Sequence, residues 1–240
     1  MEESKLSKII GQHQEMENFF SGGLVVKSTA EDSQQKTAEI VSPKVTEELG
    51  QIEDEVRKCR KCELGSLRRN AVPGEGSHAA QIAFVGEGPG ADEDAQGRPF
   101  VGRAGQLLDR IIKAMGLKRE DVYICNVLKC RPPDNRDPKP EEIISCLPYL
   151  QRQLELINPK IIVALGAHAA RSLLNNNKAI GQLRGQFHEY YPGLGTAPIK
   201  LMATFHPAYL LRNYSDDNRA KVWEDMKKVL AELGLPVPRR

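Results

Sequence analysis

The chain has 240 residues, 40% apolar and 28% charged, with 34 Lys and Arg against 32 Asp and Glu. That is enough for one globular domain plus a tail, or two very small domains. The longest apolar stretch, around Ile161 to Leu165, is too short to span a bilayer, and the opening MEESKLSKII has no apolar signal core. These features exclude a membrane-spanning chain and lead to the expectation of a cytoplasmic protein. Five cysteines, an odd number, argue against a disulfide framework.

Residues 1–44 are polar, carry five Lys against seven Asp and Glu, and read as a mostly disordered extension. The remaining residues 45–240 are net +4, mildly basic, which admits a polyanionic partner without demanding one. Val45 to Lys58 reads as a helix with Val45, Leu49, Ile52 and Val56 on one face. Four short continuous apolar runs follow at Gln81–Gly86, Val122–Leu128, Lys160–Gly166 and Ile199–Thr204. Runs of this kind mark parallel strands covered on both faces. Helical patterns separate them at Ala104–Met115, Pro140–Leu156 and His168–Leu174, and the chain closes with Asp217–Leu233. The fold class expected is α/β: a three-layer α/β/α sandwich around a central four-stranded parallel sheet. Ligands in such folds sit beyond the carboxyl ends of the strands, where Gly86–Gly90, Asn126 and His206 fall.

Gly86 to Ala91, GEGPGA, formally matches a dinucleotide-binding fingerprint, which requires a helix to start there. Pro89, Gly97 and Pro99 argue against that helix, and Asp92, Glu93 and Asp94 would repel a phosphate. A nucleotide-dependent oxidoreductase is therefore set aside. The longer stretch GEGPGADEDAQGRPFVGRAGQLLD, Gly86 to Asp109, resembles the first motif of the family 4 uracil-DNA glycosylases. NVLKCRPPDNRDPKPEEIISC, Asn126 to Cys146, and HPAYLLR, His206 to Arg212, are similar to two further blocks of that family. With CRKC at Cys59 to Cys62, the resemblance runs from about Val45 to Leu235.

The resemblance implies a monofunctional enzyme that hydrolyses the N-glycosidic bond of uracil in DNA. The target base must leave the helix stack and enter a pocket. Uracil offers N3–H as donor and O4 as acceptor, and the amide of Asn126 is the complement; cytosine inverts that pattern. Phe100 would stack on the base, with Gly88 beside it on the substrate-binding side. Thymine must be blocked at its methyl corner, where better-known relatives carry Tyr at the position of Gly90; Glu93 is the residue expected to do so, with Asp94 as the alternative. His206 matches the family histidine that stabilises charge on uracil O2. Better-known relatives place a water-orienting Asp at the position of Gly88, so Glu87, the nearest carboxylate, is assigned to the water or to the cationic sugar. The Pro89–Gly90 turn would let backbone N–H groups approach phosphates, since Gly lacks a side chain. Tyr209, Leu210, Leu211 and Arg212 resemble the wedge inserted into the minor groove, although one of the two leucines is expected to pack inward.

Cys59 and Cys62 form one C-x-x-C knuckle, whereas a zinc ribbon would show two. Irregularly spaced cysteines suit an iron–sulfur cubane. The resemblance assigns Cys59, Cys62, Cys130 and Cys146 to a [4Fe–4S] cluster, leaving Cys125 as a buried thiol and Arg131 as a candidate DNA-facing cation. His13, Met16, Phe19 and Phe20 have the spacing of a sliding-clamp peptide without its leading Gln. A clamp is thus one candidate partner beside uracil-containing DNA. The protein is expected to be a monomer. The competing reading is a non-catalytic DNA-binding or polymerase-associated module of the same fold, against which Asn126 and His206 both stand intact. Some wider relatives trap the sugar covalently on a loop His; no His lies between Cys130 and Cys146, so turnover is expected.

Overall fold

Runs of branched and aliphatic side chains pair as parallel strands in the centre of the computed structural model, which describes residues 42–193 and 195–238 together with Glu15, Phe19 and Phe20. In chain order, helix α1 spans Pro43–Lys58 and α2 Leu64–Leu67; β1 is Glu75–Gly76 and β2 Ile82–Gly86. Next come α3 (Ala91–Gln96), α4 (Arg103–Ala114), β3 (Tyr123–Asn126), α5 (Pro140–Ile157) and β4 (Ile161–Leu165). Then follow α6 (Ala167–Leu174), α7 (Ile180–Leu183), β5 (Phe187–Tyr190), β6 (Ile199–Thr204), α8 (Pro207–Arg212) and α9 (Asp216–Glu232).

The sheet order is β1-β3-β2-β4-β6-β5. Its inner four strands are parallel, as expected, in registers such as Gly86 with Asn126 and Leu165 with Thr204. Two antiparallel edge strands extend this core to six. Neither edge strand has the continuous apolar run of a strand buried on both faces. The two residues of β1 are half-buried to exposed, and β5 mixes His188 and Glu189 with two aromatics.

Successive strand residues serve opposite layers. Ala83, Val85, Ile162 and Ala164 pack with Leu49, Ile52 and Val56 of α1, Leu150 and Leu154 of α5, and Ala169 of α6. Ile82, Phe84, Ile161 and Val163 pack with Leu107, Leu108, Ile111 and Ile112 of α4 and with Val222, Met226 and Val229 of α9. Each fully buried side chain of this kind contributes about 1.5–3 kcal/mol, enough to offset the ordering of its residue. Two such faces make the three layers.

The helix excluded by Pro89, Gly97 and Pro99 nevertheless exists. It is one short segment, Ala91–Gln96, ended by Gly97 in the left-handed conformation at φ 71°. Six residues fit between the breakers because Glu93 at the third helical position reaches back and accepts from the Gly90 N–H, 3.0 Å away, which satisfies one of the free N–H groups at the helix start.

Of the segment 1–44, Glu15, Phe19 and Phe20 contact the body. Phe20 is buried in the α4–α9 layer, the Arg219 guanidinium lies 4.9 Å from the Phe19 ring, and Glu15 accepts from the Tyr214 hydroxyl. Helix α1 already begins at Pro43. His13 and Met16 of the clamp-like spacing lie outside the described residues. Among the described residues, no helix is long and apolar enough to cross a membrane.

The end of β6 is anchored from below. Thr204 Oγ1 donates to the fully buried Asp225 at 2.6 Å, and Arg184 Nη2 donates to the same carboxylate at 2.7 Å. Asp225→Ala strands both partners and is expected to lower unfolding free energy by about 3–5 kcal/mol in urea titration at unchanged slope. A change below about 1 kcal/mol would contradict this anchoring.

Candidate active site

Each of the four parallel strands delivers a residue to one cleft of about 470 Å³ at their carboxyl ends. β2 supplies Glu87 to Gly90, β3 supplies Asn126, β4 leads into Gly166 and His168, and β6 leads into Phe205 and His206. Glu93, Phe100, Asn135, Asp137, Tyr209 and Arg212 complete much of the lining. The sequence-assigned residues Glu87, Gly88, Pro89, Gly90, Glu93, Phe100, Asn126, His206 and Arg212 therefore share one cavity.

Asn126 and Phe100 meet over the last residue of β2. A Cβ at Gly86 would stand 2.4 Å from Asn126 Oδ1 and 2.6 Å from Phe100 Cζ, so only glycine leaves room for both. Phe100 is buried and held at φ 50°, a left-handed conformation that a bulky residue adopts only when its surroundings impose it. Glu93 does much of the imposing. Its Oε1 accepts from the Val101 and Gly102 N–H groups at 2.9 and 3.0 Å, while Oε2 takes Gly90. Both oxygens of Glu93 are thus committed to backbone, bracing the loop on either side of the pocket.

Asn126 is 1% exposed, and its Oδ1 has no hydrogen-bond partner among the described residues. A buried acceptor left unmade costs about 1–3 kcal/mol, so its presence at the head of a cleft marks a place for an incoming donor.

His206 caps α8. Its Nδ1 accepts from the Ala208 N–H at 3.0 Å. Burial, then the nearby Arg212, pushes its pKa down to about 4, so the ring is neutral near pH 7. A neutral ring whose Nδ1 accepts must carry its proton on Nε2, which makes Nε2 a donor. The His206 and Phe100 ring centroids are 5.7 Å apart and the rings are inclined by 31°. Gly166, at φ 91°, permits this position, since a Cβ there would lie 2.9 Å from the His206 Cβ.

Burial raises the Glu87 pKa above the usual carboxylate range; His168 and Arg212 pull it down and Asp137 pushes it up. Sequence reasoning missed His168 and Asp137. A strand-end residue after Gly166 carried the available signal for His168, but Asp137 sits in a loop with none.

Three assignments change. The Gly90 N–H is taken by Glu93 and Pro89 is buried with no N–H of its own, so neither offers a donor to a phosphate. Leu210 is 1% exposed and belongs to the core beside α4, so it has no surface to present to DNA; Leu211 is half-buried and Arg212 exposed. The inward leucine follows from helical geometry, because α8 must seat one side on the sheet layer. Asp94, the alternative to Glu93, is buried away from the cleft and accepts from the Arg69 N–H at 3.0 Å.

Cys59, Cys62, Cys130 and Cys146 line a second, small cavity, and Cys125 is buried in the core outside that lining. All five cysteines are free of disulfides. Arg68 Nη1 donates to Cys130 Sγ at 2.9 Å, and the Lys129 N–H donates to Cys146 Sγ at 3.1 Å. Burial pushes the Cys130 thiol up and that of Cys146 up to about 12. Bare thiolates are disfavoured there, so charge on these sulfurs needs a compensating cation.

The family model described as Uracil DNA glycosylase superfamily matches residues 73–227, and the chain belongs to that superfamily. Within it the similarity is to proteins named type-4 uracil-DNA glycosylase. One from Saccharolobus solfataricus is 48% identical over 77% of this chain and 86% of its own. One from Thermotoga maritima is 50% identical over 76% of this chain and 93% of its own. A third, from Archaeoglobus fulgidus, is 46% identical over 76% and 92%.

The tautomer of His206 is directly measurable. Nitrogen NMR of its ring at about pH 6 is expected to report a neutral imidazole with the proton on Nε2. A cationic ring at that pH would contradict the environment described.

Proposed function

We propose that the protein excises uracil from DNA by hydrolysis of the N-glycosidic bond, leaving an abasic site for base excision repair. The unpartnered Asn126 Oδ1, in the cleft that Phe100 and His206 also line, carries this reading. Uracil N3–H fills Asn126 Oδ1, and the Asn126 nitrogen donates to O4. Phe100 stacks on the ring, an interaction worth about 1–3 kcal/mol per base. A side chain at Gly90 would reach the Glu93 carboxylate, its Cβ 2.7 Å from Oε2. Glu93 thus occupies the corner that a larger residue fills in better-known relatives, and a thymine methyl group meets it there.

The C1′–N1 bond breaks with its electron pair leaving on uracil, and the sugar becomes an oxocarbenium ion. His206 Nε2–H donates to O2 and holds the charge of the departing anion, which then takes a proton from solvent. Because the ring is already neutral, it stabilises by donation without first having to lose a proton. Glu87 faces the cationic sugar. Water bonds to C1′ and gives its proton to the Glu87 carboxylate. Leu211 and Arg212 of α8 contact the DNA strand.

Cys59, Cys62, Cys130 and Cys146 would hold a [4Fe–4S] cluster. When bound, it supplies a structural cross-link between α1, the loop after Asn126 and α5. The thiol set, the N–H donors to its sulfurs and the absence of disulfides among the four fit such a group.

Purified protein incubated with a uracil-containing oligonucleotide is expected to leave alkali-labile sites, with thymine and cytosine controls intact. His206→Ala is expected to lower single-turnover excision by roughly 10²–10³-fold. Asn126→Ala should cripple it comparably. An unchanged rate in either variant removes that residue's role, and no alkali-labile product from wild type overturns the reading.

The cluster is checked separately. Iron and brown colour should copurify with the protein and be lost in Cys146→Ala together with thermal stability. Colourless protein containing zinc contradicts the assignment.

A further inference from the structure

One group of side chains in the cleft is not absorbed by base recognition. Glu87 from the end of β2, Asp137 from the loop after β3 and His168 from the first turn of α6 each offer a polar atom, all within 4.8 Å of one another. A water seated among three atoms that close together can lie within hydrogen-bond reach of each. The His168 Nε2 to Asp137 Oδ1 separation is 3.6 Å, beyond a direct hydrogen bond and within reach of a water bridge. The cleft that holds these groups also holds the unpartnered Oδ1 of Asn126, which marks it as a ligand site. Glu87 and His168 are half-buried and Asp137 is exposed, so the triangle opens towards the cleft and solvent can reach it.

We propose that His168, with Asp137, completes the device that holds the attacking water against Glu87. This rests on the uracil-excision reading and adds to it a residue contributed by the fourth strand end. The water oxygen forms the bond to C1′, and the water's proton passes to the Glu87 carboxylate. His168 and Asp137 fix the orientation of the lone pair that attacks. The positive edge of the His168 ring offsets the carboxylates around it. Phosphate binding is a poor alternative for His168, because two carboxylates beside it would repel an anion.

The test is single-turnover excision with DNA affinity measured in parallel. His168→Ala is expected to lower the excision rate by roughly 10²-fold while leaving DNA affinity unchanged. Added imidazole should restore part of the lost rate in His168→Ala and none in wild type. His168→Gln, closer in size, guards against a folding defect and should retain an intermediate rate with wild-type thermal stability. In the cycle with Glu87→Gln, the double variant should be little slower than the slower single variant, since both act on one water.

An excision rate in His168→Ala within about twofold of wild type overturns the proposal. So does a loss confined to DNA affinity, or full additivity with Glu87→Gln. A wild-type rate abolished by chelator and restored by magnesium would make the three groups a metal site and equally overturn it. Failure of wild type to excise uracil at all is a separate result and removes the parent reading instead.

Discussion

A buried amide oxygen with no partner is a standing cost of about 1–3 kcal/mol, and the fold keeps one at the head of its cleft on Asn126. Much else in the site follows from holding that atom in place. Gly86 must lack a side chain so that Asn126 and Phe100 can meet above it, and Gly105 likewise, since a Cβ there would run into the Phe100 carbonyl. Phe100 must accept a left-handed backbone, and the Glu93 carboxylate accepts the three backbone N–H bonds that fix the flanking loop. A pocket assembled before its ligand arrives spends little on reorganisation when the base enters, which is the condition for strong discrimination by hydrogen bonds.

The two cavities are mechanically joined. Asn126 ends β3, and Cys130 follows four residues later through a wholly buried stretch. Lys129 in that stretch donates its N–H to Cys146 Sγ and its Nζ to Gln153 at 2.6 Å, while its carbonyl accepts from Val72 at 2.8 Å. Gln153 in turn donates to the Tyr123 hydroxyl at the start of β3. Cys146 and Gln153, both on α5, therefore hold the two ends of the segment that carries Asn126. A cross-link at these thiols would act on recognition through position, with no electron transfer required.

The central strands and the long helices were legible because each has a strong local signal: continuous Ile, Val and Ala runs, or apolar residues three and four apart. The residues at the ends of β2, β3 and β6 were legible from the rule that ligands gather at carboxyl strand ends, and from family motifs. The edge strands β1 and β5 were not, since their pairing with β3 and β6 leaves no alternation in so few residues. The helix Ala91–Gln96 hid between breakers that bound it without preventing it. Leu210 and Leu211 are neighbours of equal hydrophobicity, and only the seating of α8 on α4 decides which turns inward. His168 lay within a helical pattern, and Asp137 is 31 residues away in sequence, so their approach is purely tertiary.

The central claim is that one pocket, defined by Asn126, Phe100 and His206, encloses a pyrimidine base. A crystal structure of the protein soaked with free uracil tests it most directly. The base should lie over Phe100, with N3 at hydrogen-bond distance from Asn126 Oδ1 and O2 at that distance from His206 Nε2. Uracil bound elsewhere, or seated in the cleft with Asn126 Oδ1 still unpartnered, would contradict the account.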